Sequence, residues 1–118
     1  VRTRNDLELK TDQILRLHTR SKRFQTCALR NRIVFEHAEF LVLDKPAGMP
    51  THATLDNFIE NAQYQLSQEL GYEVFVTHRL DIATRGLLVM AKSKPAQSLL
   101  NKMFARARVE KYYRAFSK

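Results

Sequence analysis

Cysteine is nearly absent from this chain, with Cys27 the only one, so no internal disulfide can form, and a reducing compartment is the fitting environment. That single cysteine and four scattered histidines give no zinc-type spacing, so no structural metal is expected. Long apolar runs are missing too. Nothing approaches a membrane span, the opening residues carry no signal-peptide pattern, and no basic amphipathic helix points to a lipid surface. No membrane partner is expected, and the cytoplasm is the expected location. There are no internal repeats and no low-complexity segments.

Acidic residues are in short supply: 12 Asp and Glu stand against 20 Lys and Arg, a formal charge of +8. The placement of that excess is more telling than its size. Both flanks, residues 1–32 and 92–118, are rich in Lys and Arg, whereas residues 33–91 hold more acids than bases. Two basic flanks around a less basic centre suit a polyanion lying across the protein. Plain solubility is the bland alternative, and at this excess nucleic acid is the better reading. The 118 residues, 44% of them hydrophobic and 27% charged, suit one soluble domain with a modest core.

Short alternating runs read as elements. Leu7 to Leu17 reads as two short strands around a Lys10–Gln13 turn, and residues 21–32 read as a basic linker. Ile33–Phe35 and Phe40–Leu43 read as a strand pair, closed by Lys45-Pro46-Ala47-Gly48, which suits a type I turn. Phe58, Ile59, Ala62, Leu66 and Leu70 recur at helical spacing, with Asp56 or Asn57 as cap and Gly71 as stop. Leu87–Ala91 reads as a buried strand. A second helix is expected from Pro95 to Arg106, with Ala96, Leu99, Leu100, Met103, Phe104 and Ala107 as one stripe. Lys111–Phe116 reads as a final strand. The order β-β-α-β-α-β predicts an α/β domain of the α+β type: a mixed, largely antiparallel sheet flanked by helices.

The densest signal is His78-Arg79-Leu80-Asp81-Ile82-Ala83-Thr84-Arg85-Gly86, which opens into the apolar strand ending in Ala91-Lys92. Asp81 lies in a loop just before that strand, where a side chain can face a cleft. On its own it would be read as a turn cap or an ion-pair partner of Arg79. In sequence this stretch resembles the signature of the RluA-type pseudouridine synthases: His-Arg-Leu-Asp, two variable residues, Thr, one residue, Gly, then a strand. Asp44-Lys45-Pro46-Ala47-Gly48-Met49-Pro50, with His52 after it, resembles an earlier motif of that family. Residues 1–20 are weakly similar to the tail of the alpha-L RNA-binding domain that precedes many such enzymes.

The resemblance implies an enzyme that isomerises uridine in structured ribosomal or transfer RNA, with no cofactor. It implies Asp81 as the catalytic carboxylate, acting either on the sugar carbon or as a base on the sugar; the sequence leaves both routes open. Lys111, Tyr113 and Ala115 match a Lys-x-Tyr-x-Ala pattern, which makes Tyr113 the platform for the uracil ring. Tyr112 would point to the opposite face of that strand. Arg79 falls in the segment that contacts RNA where the uridine leaves its stack. His78 is expected as a hydrogen-bonding support, Thr84 and Gly86 as loop supports, and Lys45 and His52 as non-catalytic pocket residues. Arg85, Arg106, Lys111 and Arg114 are the RNA-binding candidates, with Lys92, Lys102 and Arg108 as further phosphate contacts.

The chain departs from the family pattern in two places. Arg85 stands where the family most often has a small residue. The family also carries a downstream Gly-Arg-x-His-Gln-Ile-Arg-like segment and a later basic partner for the Asp. The sequence ends at Lys118, before either. Residues 33–118 are therefore expected to be the N-terminal half of a catalytic domain, inactive alone, and a monomer is expected. A non-catalytic RNA-binding module of the same fold is the alternative. A metal-dependent nuclease fits poorly, because Asp44, Asp56, Glu60 and Asp81 are scattered.

Overall fold

A computed structural model describes residues 24, 27–54 and 57–117. The expected alpha-L tail over residues 1–20 lies outside them. The core is a four-stranded sheet in the order β1-β2-β4-β3, where β1 is Ile33–Glu36, β2 Phe40–Lys45, β3 Phe75–Val76 and β4 Gly86–Ala91. All three pairings are antiparallel, so the mixed character expected of the sheet is not seen among the described residues. Two helices complete the unit, α1 at Ala62–Leu70 and α2 at Lys94–Ala105.

Alternation in β2 sorts its side chains by face. Leu41, Leu43 and Lys45 are buried, while Phe40, Val42 and Asp44 on the other face are half-buried. Register carries the same division into β4, where Leu41 pairs with Met90 and Leu43 with Leu88. These four residues join Leu29, Met49, Ala62, Leu66, Val74 and Leu80 in the main core, which α1 covers. On the opposite face Phe75, Ala91 and Ala96 form a smaller cluster, with Leu100 of α2 packed against it.

The packed unit begins earlier than the expected linker allows. Leu29 is fully buried, and Arg30–Arg32 form a 3-10 turn. The Glu69 carboxylate of α1 accepts the Leu29 and Arg30 backbone N–H groups at 3.1 and 2.7 Å, which ties the entering chain to the helix. Leu29 is one apolar residue in a basic stretch, too short a signal for periodicity to register.

Both helix starts follow capping chemistry. The Asn61 side chain accepts the Tyr64 N–H at 2.9 Å, and the Ser93 hydroxyl accepts the Ala96 N–H at 3.3 Å. The first helix thus starts later than its apolar spacing suggested. Asn57 closes a local turn instead, its side-chain Oδ1 accepting the Glu60 N–H at 2.8 Å, and Phe58 and Ile59 are exposed. Gly71 ends α1 in the left-handed region at φ 77°, as its position after Leu70 predicts. Pro95 sits in the first turn of α2, where its missing N–H removes no helical bond.

Three differences from the sequence reading bear on function. The two-residue β3 was too short to show a pattern. The expected strand at 111–116 does not form: residues 110–117 carry no regular structure, Tyr113 is 65% exposed and Phe116 is 99% exposed. A strand needs a hydrogen-bonded neighbour, and no described strand pairs with this segment. The expected stripe on α2 is also mostly open, with Ala96 its one buried residue and Leu99 62% exposed. No helix among the described residues is long and apolar enough to cross a membrane.

Candidate active site

The site is assembled by two loops that lean on each other at one end of β2 and β4. The first runs from Lys45 to Thr51 and leaves β2; the second runs from Leu80 to Arg85 and enters β4. Alternation puts Lys45 on the core face, so its ammonium is buried. It donates to the carbonyls of Pro46 at 2.9 Å and Met49 at 2.6 Å and so folds the first loop around itself. Burial pushes the Lys45 pKa down, and the nearby Asp81 carboxylate opposes that shift.

The first loop grips the second on both sides of Asp81. The Thr51 hydroxyl donates to the Leu80 carbonyl at 2.7 Å and accepts the Leu80 N–H at 3.1 Å. One residue beyond Asp81, the Gly48 N–H donates to the Ile82 carbonyl at 2.6 Å. Gly48 has φ 82°, a left-handed conformation that suits glycine and turns its N–H toward the loop. Within the second loop the Thr84 N–H donates to the Asp81 carbonyl at 3.0 Å, which closes a turn. The Asp81 backbone is thus fixed on three sides while its side chain stays exposed. No Arg79–Asp81 ion pair is present among the described residues, and Arg79 is exposed.

His78 sits behind this loop. Its Nε2 accepts the Val89 N–H at 3.1 Å, which assigns the ring proton to Nδ1; that nitrogen is buried without a hydrogen-bond partner. The ring lies 4.7 Å from the Phe104 ring of α2, and the Lys111 ammonium lies 4.9 Å from the centre of the same Phe104 ring. Burial first, and then the Lys111 charge, push the His78 pKa down, with the Arg79 backbone opposing; His78 is a neutral acceptor.

The remaining sequence candidates divide by place. Asp81, Thr84, Arg85 and Gly86 share one turn, and Lys111 meets His78 across Phe104. Tyr113, Arg106 and Arg114 are exposed along the C-terminal stretch, and no described contact joins them to Asp81. His52 is half-buried in the first loop. Arg85 has a partner the sequence did not suggest: its guanidinium donates to the Asp44 carboxylate, Nη2 to Oδ2 at 3.0 Å. Arg32 reaches the same oxygen through its own Nη2 at 2.7 Å. These cations, Arg85 first, hold the Asp44 carboxyl below the usual carboxylate range. Thr51 is a site residue missed from sequence, and Asp44 and Gly48 stood in the Asp44–Pro50 motif without a role. Their partners lie far along the chain, so only the folded loops display them.

The defining feature of the site is an exposed Asp81 on a loop whose backbone is hydrogen-bonded on both sides of it. The sequence profile of the RNA pseudouridylate synthase family matches residues 39–118, well over half of the chain. The chain is 31% identical over 114 residues to the chloroplastic RNA pseudouridine synthase 6 of Oryza sativa subsp. japonica, a match covering 92% of this chain and 24% of that protein. It is 40% identical over 85 residues to tRNA pseudouridine synthase C of Vibrio parahaemolyticus, covering 70% and 35%. The solved structure of human RNA Pseudouridylate Synthase Domain Containing 4 superposes with a TM-score of 0.57 at 26% identity, covering 68% of this chain and 31% of that one. The chain belongs to the RNA pseudouridylate synthase family, in its RluA-type branch. The chain spans about a quarter to about a third of the length of these two curated relatives.

Proposed function

We propose that the intact protein carrying this segment is an RNA pseudouridine synthase that isomerises uridines in transfer or ribosomal RNA, with Asp81 as the catalytic carboxylate. The observation that carries this reading is the grip on Leu80 and Ile82, which fixes the backbone on both sides of an exposed Asp81. A reacting group gains most when it is held in place before substrate arrives. The reaction breaks the bond between ribose C1′ and uracil N1, turns the base, joins C1′ to C5, and loses the C5 proton to solvent while N1 takes one up. An ionised carboxylate serves it by adding to C1′ and later leaving, or by removing and returning a sugar proton. Both routes use Asp81.

Tyr113 is the proposed platform for the detached uracil, its ring offering a flat face and its phenol a polar group near C5. In this segment it is exposed, so the reading requires residues 111–116 to pair as a strand in the intact protein. Arg79, exposed two residues before Asp81, is the proposed contact at the point where the uridine leaves the stack. Arg106, Lys111 and Arg114 are proposed to meet phosphates. No cofactor or metal enters these steps.

The test is release of tritium from RNA labelled at uridine C5, with the intact protein and separate pools of transfer and ribosomal RNA. Release from one pool is expected. RNA binding without release from either pool would leave a non-catalytic RNA-binding module.

A further inference from the structure

We propose that Arg32, Asp44 and Arg85 form a clamp for a backbone phosphate of the RNA strand beside the target uridine, with Asp44 the positioning residue that aims both guanidiniums. This rests on the pseudouridine synthase reading above. Three segments meet at one carboxylate: the 3-10 turn through Arg32, the end of β2 through Asp44, and the Asp81 turn through Arg85. Arg32 donates from Nε to the Asp44 carbonyl at 2.8 Å and from Nη2 to its Oδ2 at 2.7 Å. Arg85 donates from Nη2 to Oδ2 at 3.0 Å and from Nε to Oδ1 at 3.4 Å, the latter at the edge of hydrogen-bonding distance.

The charge does not balance. Two guanidiniums share one carboxylate, so a unit of positive charge remains for a monoanion to neutralise, and a phosphodiester is a monoanion. A guanidinium has five N–H donors in a planar fork, and the Asp44 contacts take Nε and Nη2 of each arginine without using either Nη1 group. Despite its partner, the Arg85 side chain is 69% exposed, so the fork faces solvent. Its location is the second argument. Arg85 follows by one residue the turn in which the Thr84 N–H meets the Asp81 carbonyl, and Gly86 pairs with Lys45 in the sheet. The fork therefore holds a set position relative to Asp81, as a group seating the strand next to an extruded base must.

A plain surface ion pair is the competing account. Exposed pairs of that kind contribute little to stability, and they predict no effect on RNA. The two accounts separate in binding measurements on the intact protein, using the RNA pool from which the wild type releases tritium. Kd is measured between about 50 and 200 mM salt, with single-turnover release alongside. Arg85→Ser, an exposed change, is expected to raise Kd several-fold to tenfold and to lower the slope of log Kd against log salt by about one. Asp44→Asn removes a negative charge, so a field effect alone would tighten binding. The clamp predicts the reverse, a Kd raised about threefold or more, because the forks are no longer aimed.

Wild-type Kd and salt slope in Arg85→Ser, with the wild type active, would overturn the clamp and leave the catalytic reading intact. Tighter binding by Asp44→Asn would overturn the positioning role of Asp44. A wild type that binds RNA without releasing tritium would overturn the catalytic reading, and with it a clamp serving a target uridine.

Discussion

His78 uses one ring nitrogen as an acceptor for the Val89 N–H, and the other is buried without a partner. A second proton would have to enter at Nε2 and displace that bond, beside the Lys111 charge. The folded pKa is therefore depressed below the unfolded value of about 6.5. The sign follows from linkage: below about pH 6.5 the unfolded chain binds the proton more readily than the folded one, so stability is full above that pH and is lost as pH falls toward the folded pKa. Thermal unfolding across about pH 5 to 8 should show the loss. His78→Gln keeps a neutral acceptor and should flatten the acid side of the profile. An unchanged profile in the variant would remove His78 as its source. At this scale the sequence was partly legible. The motif marked His78 as a support, but only folding reveals that Phe104 and Lys111 set its charge state.

Among the elements, the grip between the two loops and the end of α2 make separate predictions. Thr51 holds both backbone groups of Leu80, so Thr51→Val leaves a buried N–H and carbonyl without their partner and should cost about 1–3 kcal/mol. Displacing Asp81 should also lower kcat by about 10²-fold, whereas Thr51→Ser, which keeps the hydroxyl, should restore most of both. Loss of stability with kcat intact would separate the grip from catalysis. At the end of α2, the Ala107 N–H bonds the Phe104 carbonyl at 3.3 Å and the Arg108 N–H bonds the Met103 carbonyl at 3.1 Å. That is a Schellman ending, and it places Ala107 at φ 51°, a conformation in which glycine has no Cβ to crowd. Ala107→Gly should therefore stabilise the fold by about 0.5 kcal/mol in a denaturant titration, the relief of the left-handed cost being offset in part by glycine's greater freedom when unfolded. The helix stops at Gly71 and the proline at the start of α2 were readable because their causes are local. The Thr51–Leu80 and Arg85–Asp44 links were not, because 29 and 41 residues separate the partners.

For the whole molecule, the half-open state of the fold matters most. One sheet face is filled by α1 and the main core, whereas Leu87 on the other face, Leu99 on α2 and the segment through Tyr113 to Phe116 remain exposed. The strand at β4 and the strand pair before it were legible because each finds its partners within the described sheet, although β4, read as a buried strand, turns Leu87 out to 63% exposure. Lys111–Phe116 has the composition of a strand yet forms none, since pairing is a property of two segments. With Tyr113 exposed and outside any described strand, the 118-residue chain by itself is expected to bind RNA in a salt-dependent way and to release no tritium, in contrast to the release proposed for the intact protein. Release by the segment alone would show that Tyr113 needs no further partner.

The most direct test of the account compares wild type with Asp81→Asn in the intact protein, measuring C5 tritium release and RNA affinity side by side. The Asp81 carbonyl, not its side chain, accepts the Thr84 N–H, so the substitution leaves the loop's bonds in place. RNA affinity equal to or somewhat tighter than wild type, because a negative charge is lost, and release reduced by more than about 10²-fold are expected. Release from Asp81→Asn at the wild-type rate would contradict the account, because no carboxylate would remain at the gripped position.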